Sequence, residues 1–485
     1  MQILVFLILV ISTALRIYLF PTNNTWLGDI GRDMLAGHLI AYEGANTSQG
    51  HFNSGMGFSV YPSFYYYFIA IITKIGGDNF DQIKNLLIFY QSLGAIILFF
   101  ILKGIFSKAT ALVTSLFYVF AIFSINFSLS PISAHNSVPI ALFSLLMLLA
   151  GCKKNSLTYL SLGGLFLVLA ATFFYGAVLL MPLYFFTIII YFWQKEEKNY
   201  IKGVAYGGYY VIFFCLSLIV AFSATTSFSN ALEVLFRSGI RQLQLSSINW
   251  SELAIDLREK FAQLHPIFTN WFYLIYAMVL ALAIKKRKTR NYALLFTGFF
   301  ILHIILYALH QGKLGHYLIY LNFILIFGLA FALENIKNVN KLLFIFSSFL
   351  IIYSSGITSV EKSIDNNERY EHYLLVSEVV SKHFPEKRIS SWENCEDSSY
   401  GKKRWQYEND TWESRSYWYF QRNNNWFILS DMYSQISSIN KQIIYLCFLT
   451  EDQLNSGSNT DYLLADQPVI TFHLEGKVYF AYDGQ

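Results

Sequence analysis

Long apolar runs recur along this chain, and they constrain its fold more than any other feature. A helix of about 20 apolar residues crosses the hydrocarbon of a bilayer, where the backbone must satisfy its own hydrogen bonds. Such runs centre on Ile3–Phe20, Asn85–Leu102, Ala109–Leu129, His135–Gly151, Leu157–Ala171, Phe174–Trp193, Gly203–Ala224, Ile267–Ile284, Asn291–Leu309, His316–Leu333 and Leu342–Tyr353. They predict a polytopic α-helical membrane protein of about eleven spanning helices. The first run lacks a basic leader and a small-residue cleavage site, so it reads as a spanning helix and not as a signal peptide. One more run, Phe58–Ile75, contains Pro62 and dense tyrosine, which suits a helix lying in the interface better than a twelfth span.

Charge gives the sidedness. The connections at Lys103–Lys108, Lys153–Lys154, Lys195–Lys202, Lys285–Arg290 and Lys337–Lys341 are basic, and the short alternate ones near Pro131, Thr172 and His310–Gly315 hold only Lys313. By the positive-inside rule the basic set is cytoplasmic. The N-terminus is then cytoplasmic, while a first loop, 21–84, a second large loop, 225–266, and the tail lie outside. If Phe58–Ile75 spanned, the N-terminus would be outside and Asp29 cytosolic.

Only 14% of the 485 residues are charged, and the net charge of +4 gives no footing for nucleic acid. The acidic residues crowd into the last quarter, which separates a membrane domain, 1–357, from a soluble C-terminal α/β or α+β domain, 358–485. In that tail, Asn366–His383 reads as an amphipathic helix, and Gln442–Leu449, Val469–Leu474 and Lys477–Tyr482 read as strands. Cys395 and Cys447 share this oxidising side, where a disulfide is allowed. The tryptophans between Trp392 and Trp426 suit either core packing or stacking on sugars.

The outer face holds the chemistry-bearing residues. Soon after the first span comes Leu27-Gly-Asp-Ile-Gly-Arg-Asp-Met-Leu-Ala-Gly-His. If Ile30–Tyr42 is helical, Asp29 stands at its N-cap and shares a face with Arg32 and Asp33. Two carboxylates and a guanidinium so placed form either a general-base site or a capped surface helix with an internal ion pair. Glu43 follows. A glycine-rich turn then enters Val60-Tyr61-Pro62-Ser63-Phe64-Tyr65-Tyr66-Tyr67, a wall for a sugar ring or lipid chain, or an interfacial anchor. Further candidates are His135 and Asn136 at an outer helix mouth, Arg237 and Arg241 four apart in an amphipathic stretch, and Lys313 and His316 in a glycine-flanked loop. Each also has a plain reading as helix cap, interfacial positive charge or tight turn. Arg16, in the outer half of the first span, either snorkels to the headgroups or pairs with a first-loop carboxylate. No histidine or cysteine cluster has zinc spacing, and no metal is assigned, although the carboxylates admit a divalent cation.

The Asp-x-x-x-Asp segment with Arg32, the small-residue helix and the Pro-x-Phe-Tyr-Tyr-Tyr entry resemble the first outer loop of the family-39 glycosyltransferases. These include the protein O-mannosyltransferases and the lipid A aminoarabinose transferases, with the GT-C fold. Leu129-Ser-Pro-Ile-Ser-Ala-His-Asn-Ser and Gly315-His-Tyr-Leu are weaker matches, and the similarity covers roughly residues 1 to 333. The resemblance implies a GT-C-like catalytic domain. It implies transfer of a sugar from a polyprenyl-phosphate donor to a protein, lipid or glycan acceptor at the outer face of a bacterial inner membrane. It puts the catalytic carboxylate at Asp29. The family's second acidic position maps near Val60 and a basic neighbour near Tyr61; both are absent here, leaving Asp33 or Glu43 as substitutes. A transporter or flippase of lipid-linked saccharides is the alternative from another class, and a surface-polysaccharide polymerase or ligase shares the chemistry. The absence of visible repeats and of midplane charge pairs favours the enzyme.

Overall fold

The computed structural model describes residues 2–19, 29–42, 44, 52–53, 58–59, 62–77, 80–129, 132–195, 199–223, 290–291, 294–299, 301, 319–364, 388–394, 443–450, 470–474 and 477–484. They divide into two compact units. The first is Met1–Phe20, Ser48–Phe64 and Leu87–Ile364; the second is Pro21–Thr47, Tyr65–Leu86 and Asp365–Gln485.

The first unit is a bundle of apolar helices: α1 Gln2–Leu19, the inner part of α4 Phe80–Ile105, α5 Lys108–Phe120, α6 Ile122–Leu129, α7 Ser133–Lys154, α8 Leu157–Phe173, α9 Leu180–Lys195, α10 Tyr200–Ser223, α11 Leu321–Val339 and α12 Lys341–Ile364. The second unit holds α2 Asp29–Tyr42, most of α3 Phe64–Ile75 and the outer turns of α4. A short hairpin, β1 Phe52–Asn53 with β2 Phe58–Ser59, belongs to the first.

Among the described residues, four helical stretches are long and apolar enough to cross a membrane: Gln82–Ile105, Ser133–Lys154, Tyr175–Gln194 and Tyr200–Ser223. Ile3–Leu19, Lys108–Phe120, Leu157–Phe173 and Lys341–Tyr353 are apolar but shorter. The expected span at 267–284 lies outside the described residues, as does the part of the expected span 291–309 beyond residue 301. Lipid suits the exposed sides: Ile3, Phe6, Val10 and Tyr18 on α1, and Leu342, Phe346, Phe349 and Tyr353 on α12, all stand open. α3 has only 12 residues, about 18 Å at 1.5 Å per residue, too short to cross on its own.

Two departures from a simple reading have physical causes. The run Ala109–Leu129 is not one helix. It breaks at Ala121, whose extended backbone (φ −69°, ψ 130°) ends α5 with a bond from its N–H to the Phe117 carbonyl. Helix α7 carries Pro139 in its interior. A proline there has no N–H for the carbonyl four residues back and its ring crowds that carbonyl. The freed carbonyl belongs to His135. Close approach also needs small residues: α7 and α8 meet at Gly163, where an added Cβ would sit 3.2 Å from the Leu148 nitrogen and the Ser144 carbonyl.

Glu334 ties α11 to the start of α5. One carboxylate oxygen accepts from the Thr110 hydroxyl at 2.6 Å, the Ser107 hydroxyl at 2.7 Å and the Ser107 N–H at 3.2 Å. Burial pushes its carboxyl up, but those bonds and the charge of Lys337 outweigh it, so the group titrates below its ordinary value.

In the second unit the tail contributes a four-stranded sheet of order β3–β4–β6–β5, from Arg388–Asn394, Ile443–Thr450, Ile470–Leu474 and Lys477–Gly484. β3 and β4 are parallel and the other pairs antiparallel. The expected helix at Asn366–His383, Cys395, and the tryptophans from Trp405 to Trp426 lie outside the described residues.

Candidate functional site

Polar groups gather in two places, one in each unit. In the second unit, α2 begins at Asp29, one residue earlier than expected, and Asp33 follows one turn on, fully buried with Met34 and Ala36. The side chains of Asp29 and Arg32 lie outside the described residues, as do Glu43 and Tyr61. Gly37 shares the Asp33 face and packs on α3 so closely that a Cβ would overlap the Ile69 side chain and come within 3.0 Å of the Ala70 nitrogen. At the end of α2, the Lys74 ammonium from α3 donates to the Ala41 carbonyl at 3.2 Å and sits 4.4 Å from the Tyr42 ring centre. Tyr42 in turn donates to the Thr73 carbonyl at 3.3 Å. A cation on the last carbonyls of a helix complements its dipole. The predicted Tyr65 is fully buried in α3, and its ring lies 6.4 Å from those of Tyr66 and Phe68. Phe64, Ile71 and Ile75 point away and stay exposed, an apolar stripe at helical spacing.

In the first unit the polar groups collect around the start of α7. Lys153 and Lys154 close the opposite end of this helix. The His135 carbonyl, orphaned by Pro139, accepts from the Gln91 Nε2 at 3.1 Å, and that same nitrogen donates to the Asn136 Oδ1 at 2.9 Å. The Tyr90 hydroxyl donates to the Asn136 carbonyl at 2.6 Å. Ser137 donates to the Ala134 carbonyl at 2.5 Å and shares a 2.7 Å hydrogen bond with the Tyr320 hydroxyl, at the head of α11. The Phe174 ring, just after α8, lies 6.2 Å from that of Tyr320. Predicted Asn136 is therefore fully buried in a polar knot, and predicted His135 is half-buried beside it. Tyr320 stands four residues beyond His316. Arg237, Arg241, Lys313 and His316 themselves lie outside the described residues.

Sequence reading missed Tyr90, Gln91 and Tyr320. Gln91 looks like a stray polar residue in an apolar run; the usable signal was Pro139, which forces a carbonyl at 135 to find a partner outside its helix.

Arg16 neither snorkels nor meets a carboxylate among the described residues. It is fully buried, with its guanidinium donating to Ser128 Oγ at 2.7 Å, Ser124 Oγ at 2.7 Å, the Ser12 carbonyl at 3.0 Å and the Ser12 hydroxyl. Among the described residues no group of three His, Cys, Asp or Glu could hold a metal ion.

Residues 61–222 match the sequence model of the family described as dolichyl-phosphate-mannose-protein mannosyltransferase. The fold is similar to that of ArnT from Cupriavidus metallidurans over nearly the whole of both chains. The form bound to undecaprenyl phosphate has TM-score 0.57 and 10% identity, covering 98% of this chain and 97% of that one. The apo form has TM-score 0.57 and 9% identity over the same shares. The chain as a whole thus shares the fold of ArnT, and its residues 61–222 are similar in sequence to the mannosyltransferase family. A weaker similarity, TM-score 0.46 and 12% identity over 74% of this chain and 56% of the other, is to the archaeal oligosaccharyltransferase AglB from Archaeoglobus fulgidus in complex with an inhibitory peptide and a dolichol-phosphate. No curated protein sequence matches the chain. Helix α2 and the α7 entrance carry two of the segments on which the sequence resemblance rests, and the third, 315–318, lies outside the described residues.

Proposed function

We propose that this chain is a glycosyltransferase that moves a sugar from a polyprenyl-phosphate carrier to an acceptor hydroxyl at the outer face of the membrane, in one inverting displacement. The acceptor oxygen bonds to the anomeric carbon as the bond from that carbon to the phosphate oxygen breaks. The acceptor's proton passes to a carboxylate, and polyprenyl phosphate leaves. A phosphate leaves readily, so the demanding tasks are deprotonation and support of an oxocarbenium-like transition state. Asp29 is the base in this reading. Asp33, buried one turn on, holds the α2 face in place or substitutes for it. Arg32 and Glu43 flank the acceptor. His135 and Asn136 contact the donor, and Arg237, Arg241, Lys313 and His316 face the carrier phosphate. The N-terminus is cytoplasmic, the membrane domain runs over 1–357, and the soluble domain, 358–485, lies outside.

The observation that carries this reading is the polar knot of Tyr90, Gln91, Asn136, Ser137 and Tyr320 where α4, α7 and α11 meet. Polar groups inside a membrane bundle are costly and mark substrate paths. The test is turnover of radiolabelled polyprenyl-phosphate sugars by the purified protein. Asp29→Asn is expected to abolish transfer while the fold survives. Full turnover in that variant removes Asp29 from the reaction.

A further inference from the structure

We infer that the first turn of α7 and the carboxamide of Gln91 form a divided recognition site: the helix N-terminus takes the carrier phosphate, and Gln91 Oε1 accepts a hydroxyl of the sugar. This rests on the transferase reading and adds the residues that would tell a sugar-loaded carrier from a bare one. Three observations support it. First, the cap residue of α7 is Ile132, which has no side-chain acceptor, so no side chain of the cap residue meets the first N–H groups of this 22-residue helix. Such groups, with the helix dipole behind them, suit a phosphate. Second, Gln91 is 1% exposed, and its Oε1 is buried with no hydrogen-bond partner, although its Nε2 is fully engaged. The two bonds from Nε2, to the His135 carbonyl and Asn136 Oδ1, hold the amide against the first turn and fix its orientation, so that Oε1 is its one unpaired atom. Third, a buried lone acceptor is costly unless a donor arrives. A phosphate brings acceptors only, whereas a sugar brings hydroxyl donors. The helix end and the amide therefore select different halves of one ligand.

The geometry supplies two separable variants. Ser133 is the first residue of α7, and Ile132 has φ −66° and ψ 162°, the conformation that a residue before proline adopts. Ser133→Pro therefore removes one N–H donor from a position where proline fits the helix. Gln91→Met keeps the length of the side chain and removes the acceptor. Binding is read with undecaprenyl phosphate and with undecaprenyl-phosphate-linked mannose, glucose and aminoarabinose, on the full chain in nanodiscs, with thermal unfolding as a check on fold. Gln91→Met is expected to weaken the best-bound sugar-loaded carrier about fivefold, the scale of one neutral hydrogen bond, and to leave bare carrier unchanged. Ser133→Pro is expected to weaken both alike. Equal effects of Gln91→Met on both carriers, or none on either, overturn the role of Gln91. Unchanged carrier binding in Ser133→Pro overturns the role of the helix end, and would do so even if Gln91→Met failed to fold. If the unaltered protein binds no carrier of either kind, the transferase reading itself falls; if it binds carrier but Gln91→Met is indifferent to sugar, only this inference falls.

Discussion

Replacing Gly37 by alanine probes the packing that sets the acidic helix. The new methyl would overlap the Ile69 side chain, which is itself fully buried, and would sit 3.0 Å from both the Ala70 nitrogen and the Ile69 carbonyl carbon. A side-chain end can swing aside, but backbone atoms move only if α2 and α3 separate. Overpacking of this kind costs about 1–3 kcal/mol. Ile69→Ala alone costs about 2–5 kcal/mol by leaving a cavity. In the double variant the added methyl partly fills that cavity, so the combined loss should be smaller than the sum of the single losses by about 1 kcal/mol or more. The two backbone contacts remain, so recovery should be partial. Thermal unfolding of the four proteins in detergent gives the cycle, and sugar transfer measured alongside should fall further than stability does, because Gly37 lies one turn beyond Asp33 on the same helix face. Strict additivity, or a single variant as stable as the original, would show that α2 and α3 are not held at this distance.

Two further outcomes follow from buried polar groups. Arg16→Met removes the guanidinium bonds to Ser12, Ser124 and Ser128 but also the cost of burying a charge, and the serines can turn to carbonyls one turn back; its thermal midpoint should stay near that of the original, while Arg16→Ala, which leaves a cavity, should lose about 2–5 kcal/mol. Glu334 titrates below its ordinary value, so its contribution is present at neutral pH and is lost as pH falls through the lowered pKa. The stability difference between the original and Glu334→Gln, followed from pH 7 into acid, should shrink as pH falls through the lowered value, and a difference independent of pH would contradict the charge-based account.

What could be read from the sequence follows from how local each signal is. Hydrophobic runs report burial directly, so α1, α4, α7 and α10 fall where apolar length placed them. The in-plane reading of Phe58–Ile75 rested on Pro62 and tyrosine, and a 12-residue helix starting at Phe64 fits it. The strands near Ile443, Ile470 and Lys477 were visible for the same reason, as short runs rich in β-branched and aromatic residues. The break at Ala121 was invisible because its flanks stay apolar and lack glycine or proline. The parallel pairing of β3 with β4 depends on a partner distant in sequence. The serine cage around Arg16 was hidden for another reason. Serines in apolar helices ordinarily bond to their own backbone, so nothing in Ser124 or Ser128 announces a long-range partner.

The entrance to α7 shows how a chain short of ionic groups can still present a charged ligand with a site. The resemblance expects an acidic residue near Val60 and a basic one near Tyr61, and this sequence has neither. A helix start carries roughly half a positive charge without any ionic side chain. It needs no counterion and cannot be neutralised by proton loss. Pro139 matters to this arrangement although it makes no contact with a ligand. By freeing the His135 carbonyl it draws the Gln91 nitrogen, which leaves the Gln91 oxygen as the open group. Moving that proline one position along the helix would free a different carbonyl, and the amide would have no reason to point its acceptor where it does. On this account a residue that merely bends a helix also decides which functional group faces the substrate.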